Sequence, residues 1–75
     1  MEITIQIDRV FHTFSKNQVT REELLELAKP GFNKESLDLF RAVPGACDIK
    51  ISPGDFVRIR DGARFFVAPV YINGG

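Results

Sequence analysis

The sequence closes on Val70-Tyr71-Ile72-Asn73-Gly74-Gly75, and the two glycines have the clearest chemical use in the chain. Without a Cβ, consecutive glycines can thread a channel too narrow for any other residue. The reactive group would be the Gly75 carboxylate. Alone it is inert, because its oxygens are poor leaving groups. Adenylated by a partner that uses ATP, it becomes an acyl-phosphate anhydride open to thiolate, amine or sulfide. Gly74 and Gly75 would then act as a substrate, with Val70, Tyr71, Ile72 and Asn73 guiding the segment into the partner's site. Exposed apolar residues are costly to leave in water without a use. The plainer reading is that they extend the last strand and pack down.

The side chains offer less. His12 is the only histidine, and in a strand it shares a face with Val10 and Phe14, which suits packing at an edge better than proton transfer. With one cysteine and one histidine, the usual tetrahedral zinc set cannot be assembled, so no metal ligands and no cofactor are expected. Cys47 has no base partner in sight and reads as a buried structural thiol. Gly31, Gly45, Gly54 and Gly62 fall at turns rather than in a phosphate-binding loop. Glu22, Glu23 and Glu26 read as a solvated helix face. No catalytic residues emerge, and the expectation is a protein that is not an enzyme. Arg58, Arg60 and Arg64 flank an Asp-Gly turn and are candidate docking residues for an acidic partner surface; otherwise they solubilise an exposed face.

The composition frames these readings. Seventy-five residues, 44% apolar with seven phenylalanines, make one small globular domain. Ten basic and ten acidic residues balance to zero, which argues against nucleic acid as a partner. No apolar run reaches the roughly 20 residues of a membrane span. The alternating N-terminus is unlike a signal peptide, and a single cysteine suits a reducing compartment. A cytoplasmic location is expected.

The elements that must position the tail follow from periodicity. Ile3, Ile5 and Ile7 alternate with polar neighbours as in a half-buried strand. Asp8-Arg9 turns the chain into a second strand, Val-Phe-His-Thr-Phe, and a polar loop follows. Thr20 and Glu23 form a capping box, with Val19 and Leu24 placed as a hydrophobic staple. Leu24, Leu27 and Ala28 share the apolar helix face with Leu25 beside them, while Arg21, Glu22 and Glu26 face water. Lys29 suits the negative helix end, and Pro30-Gly31 stop the helix. Strands are then expected at Ser36–Ala42, at Cys47–Ile51 with Cys47, Ile49 and Ile51 on one face, and at Phe56–Arg60. Asp61-Gly62 is a favoured two-residue hairpin turn, leading to Ala63–Ala68, an apolar run expected to be buried on both sides.

One helix can cover one face of such a sheet, so the fold class is α+β: a β-grasp, a mixed sheet of four to five strands wrapped around one helix. The domain spans residues 1–69 and residues 70–75 form a flexible tail. Whether Phe56–Arg60 or Arg64–Ala68 lies beside the first strand stays open.

Several stretches carry a resemblance. Thr20 to Ala28, Pro53 to Arg60, and Phe65-Phe66 to Pro69, followed by Asn-Gly-Gly, resemble the multiubiquitin-domain family of bacterial ubiquitin-like proteins over most of the chain. The resemblance implies a ubiquitin-like modifier, conjugated to target amines in a bacterial ubiquitination-like pathway, some examples of which serve defence against phage. It implies an activating enzyme, a conjugating enzyme, a deubiquitinase-like metallopeptidase and a target protein as partners. Lys16, Lys29, Lys34 and Lys50 would be acceptors if chains form. One departure stands out: ubiquitin carries an arginine shortly before its Gly-Gly, whereas residues 66–75 here hold no charged side chain, which implies a dedicated activating enzyme. The uncharged tail is also similar to those of sulfur carriers, whose terminal glycine becomes a thiocarboxylate. A third reading is a self-assembling structural domain, since sheet edges can pair between copies.

Overall fold

The computed structural model describes residues 1–70. The chain runs β1 (Ile3–Ile7), β2 (Val10–Phe14), β3 (Gln18–Thr20), α1 (Arg21–Ala28), a 3-10 turn at Lys34–Ser36, β4 (Leu37–Ala42), β5 (Ile49–Ile51), β6 (Phe56–Arg58) and β7 (Arg64–Pro69). Five strands form one mixed sheet in the order β2-β1-β7-β4-β5, while β3 and β6 pair separately. β1 and β7 are parallel at the centre, in a register that sets Gln6 opposite Arg64 and Ile7 opposite Phe65. β7 thus takes the place beside the first strand.

Alternation builds the core. Ile3, Ile5 and Ile7, then Leu37 and Leu39, then Phe65 turn toward the helix and are buried with Leu24, Leu25, Val19 and Ile51. Each fully buried aliphatic side chain contributes about 1.5–3 kcal/mol relative to exposure. The capping box forms as expected at its N-cap arm, where the Glu23 N–H donates to Thr20 Oγ1 at 3.1 Å.

Four readings of the helix and its neighbours change. Arg21, expected in water, is buried; its Nε donates to the Ile51 carbonyl at 3.1 Å and Nη2 to the Leu37 carbonyl at 2.7 Å. Carbonyls can hold a buried guanidinium because it brings only donors. Leu27, expected in the core, is exposed. The helix is only two turns long, and the sheet meets its Leu24-Leu25 side. Cys47 is exposed rather than buried, because β5 begins only at Ile49 and that residue is itself exposed. On β7, Phe65 is buried but Phe66, Val67 and Ala68 are only half-buried, so the run is central without being covered on both faces. Phe66 stacks on its cross-strand partner Phe40, with ring centroids 5.1 Å apart.

The Asp-Gly hairpin is also corrected. β6 pairs with β3, Val57 opposite Val19, and not with β7. Both partners are three-residue strands, and β3 occupies the end of the expected polar loop together with Val19, the expected staple residue. Ala63 N–H donates to the Arg60 carbonyl at 3.0 Å, and within this turn only Gly62 has positive φ, at 88°. A two-residue hairpin of the I′ type needs positive φ at both central positions; a single positive φ at the third residue is the type II pattern. The turn therefore carries the chain from the small sheet into the large one.

Candidate functional site

The expected site is the segment after β7, and its base is described. Pro69 lies opposite Leu37 at the end of the β4 pairing. One residue further, the Val70 N–H donates to the Ser36 carbonyl at 2.9 Å, and Val70 is exposed. Tyr71, Ile72, Asn73, Gly74 and Gly75 lie outside the described residues. The segment is thus rooted in a strand held on one side by β1 and on the other by β4.

The root is reinforced at both ends of the short parallel pair. Asp8 N–H donates to the Phe65 carbonyl at 3.0 Å, and Gln6 N–H to the Ala63 carbonyl at 2.9 Å. Beyond the last paired residues, carboxylates replace carbonyls. The Val67 N–H donates to Asp8 Oδ1 at 3.2 Å, and the Thr4 N–H to Asp61 Oδ1 at 2.8 Å. Hydrogen bonds to charged acceptors are stronger than neutral ones, so two aspartates close a ladder that would otherwise leave donors unpaired at each end.

The docking arginines are brought only partly together. Arg60 and Arg64 line one groove of about 740 Å³ with Arg41, a residue not singled out from sequence. Arg58 lies on an adjoining depression that also includes Arg41. No hairpin relates Arg64 to the other two. Arg41 sits opposite Phe65 in the strand pairing, with its guanidinium carbon 5.9 Å from that ring's centroid and Nη1 3.4 Å from the Arg58 carbonyl. The alternation of β4 marked Arg41 as sharing a face with Leu37 and Leu39, which was the available signal.

The candidate acceptor lysines are scattered. Lys16 pairs with Glu23 at 2.9 Å, Lys34 with Glu26 at 2.8 Å, and Lys50 with Asp38 at 3.5 Å. Lys29 is the helix C-cap, exposed, with its N–H bonded to the Leu25 carbonyl. The hydrogen bond from Lys16 holds the Glu23 carboxyl below the ordinary glutamate range, and that from Lys34 does the same for Glu26. Both carboxylates are exposed, so these are weak, salt-screened pairs. His12 is half-buried on β2, an edge strand of the large sheet. Among the described residues, no cluster of metal-ligating side chains forms and no helix is long and apolar enough to cross a membrane.

A mixed sheet with this strand order and a parallel central pair, wrapped around one helix, defines a ubiquitin-like β-grasp protein. The family model for multiubiquitin matches residues 3–69, and the chain belongs to that family. No curated protein and no solved structure matches it.

Proposed function

We propose that this protein is a ubiquitin-like modifier that acts through the Gly75 carboxylate and is not itself an enzyme. A partner activating enzyme joins that carboxylate to the AMP moiety of ATP and releases pyrophosphate. A partner cysteine thiolate then attacks the acyl carbon, expelling AMP and leaving a thioester. A target amine displaces the thiolate, loses a proton and forms an amide. Each step needs an unbranched, accessible acyl end, and Gly74-Gly75 meets that need. The observation that carries the reading is the multiubiquitin match across residues 3–69, with Gly-Gly following within six residues of β7. The further expectations of a conjugating enzyme, a metallopeptidase and a defence role belong to this same reading, as does a cytoplasmic setting.

Intact-mass analysis after incubation with the cognate activating enzyme and ATP tests it. An adduct to a protein amine that disappears when Gly75 is deleted is the expected result. A sulfur-for-oxygen exchange at Gly75 would move the protein to the sulfur carriers, the reading to which its uncharged final residues are also suited. If neither product forms, both chemical readings fail.

A further inference from the structure

We infer that the arginine-lined trough at one end of the large sheet docks an extended acidic polypeptide segment bearing apolar side chains. Three observations carry this. The first is continuity: the groove between β4 and the Arg60–Ala63 turn shares Arg41 and Ile49 with the depression beside β6. Together they make one elongated trough holding Arg41, Arg58, Arg60, Arg64 and Lys50. The second is charge. Among the described residues, no carboxylate lies within ion-pairing distance of any of these four arginines, whereas three lysines are paired. The two carboxylates that line the trough are already engaged by backbone, Asp61 by the Thr4 N–H and Asp55 by the Ser52 N–H. The third is the apolar surface between the guanidinium groups, where Ile49 is 55% exposed and Phe56 71% exposed.

Arginine suits this occupant. Its planar fork binds carboxylates in pairs of hydrogen bonds and remains charged at every physiological pH. The open, elongated shape fits a chain segment better than a small anion, and the apolar surface fits interleaved hydrophobic residues. Nucleic acid is disfavoured by the zero net charge of the chain, since binding a polyphosphate usually rests on a basic excess. The inference does not depend on the fate of Gly75.

The test is a titration of the ¹⁵N-labelled full chain with a short synthetic peptide alternating Glu with Leu, and with its Gln-for-Glu counterpart. The acidic peptide should shift the amides of Arg41, Ile49, Gly62 and Arg64, and its binding should weaken as salt is raised. Arg60→Glu with Arg64→Glu should weaken binding at least about tenfold. Arg41→Lys, which keeps the charge but loses the fork, should weaken it less, and Glu22→Lys should leave it unchanged. Circular dichroism confirms that each variant folds. Equal binding of the Gln peptide, shifts confined to the helix, or no loss in the arginine variants would overturn the inference. So would tighter binding of a single-stranded oligonucleotide, or arginine-dependent self-association in sedimentation. The chain lacking Gly75 should titrate identically, so failure here and failure of the modifier reading are separable.

Discussion

Two turns, Asp8-Arg9 and Asp61-Gly62, depart from the intrinsic preferences of their dipeptides, although the alternation on either side of Asp8-Arg9 predicts the hairpin that forms there. Asp-Gly is the favoured dipeptide of a tight hairpin, yet here it makes a turn between two sheets. Asp-Arg is a poor hairpin dipeptide, yet it closes the β1–β2 hairpin with φ of 50° and 70°. Intrinsic preference is worth about 1–2 kcal/mol per residue at positive φ. The β1–β2 ladder, with five paired positions from Ile3-Phe14 to Ile7-Val10, outweighs that cost and imposes the turn. What the turns share is the aspartate: each reaches across to the other central strand and accepts a backbone N–H there. Turn identity in this protein is decided by where the strands must go, and the aspartates are retained for the ladder they complete.

Breaking each half of this comparison gives ordered effects. Gly62→Ala should be the most damaging, by about 1–2 kcal/mol, since only the positive φ opposes a Cβ there and the surrounding space is open. Urea midpoints check this. Asp61→Ala and Asp8→Ala should each cost about 1 kcal/mol. Hydrogen exchange should accelerate at Thr4 in the first and at Val67 in the second; acceleration at neither would sink the shared-ladder account. Arg9→Gly should act with the opposite sign. Relief of left-handed strain, about 1–2 kcal/mol, exceeds the 0.5–1 kcal/mol entropic cost of glycine, leaving a gain of roughly half a kcal/mol. An unchanged or lower thermal midpoint would mean that Arg9 is not strained.

The smallest effect lies away from both turns and provides their baseline. Glu23 has its folded-state pKa lowered by Lys16, so the pair adds stability above the unfolded glutamate pKa. That contribution disappears as pH falls through the lowered folded value. Lys16→Ala should raise the Glu23 titration, followed by NMR, toward the ordinary glutamate range while barely moving the neutral-pH midpoint, as expected for an exposed pair. A large midpoint change would show that the helix face, not the turns, is the sensitive region.

Much of this fold was legible because a period of two and a capping box are local signals. Ile3, Ile5 and Ile7 marked β1, and Thr20 with Glu23 marked the start of α1. What escaped was decided at long range. Arg21 carries a charge, and charged residues are seldom buried, so nothing local announced that the Ile51 and Leu37 carbonyls would receive it. The three-residue strand β3 is too short for periodicity to register, so β6, which the alternation of Phe56–Arg60 did mark, had no visible partner and Asp61-Gly62 looked like a hairpin. At the candidate site, the arginines flanking that turn were visible from their spacing. For Arg41, alternation gave only its shared face with Leu37 and Leu39; its approach to Arg60 and Arg64 comes from the pairing of β4 with β7.

The parallel arrangement of β1 and β7 has a mechanical consequence. The N-terminal end of β1 and the C-terminal end of β7 lie at opposite ends of their shared interface. A force drawing them apart would therefore load the bonds between the strands in shear, all at once, instead of unzipping them singly. With an aspartate fastening each extremity, the central pair would resist as a clamp.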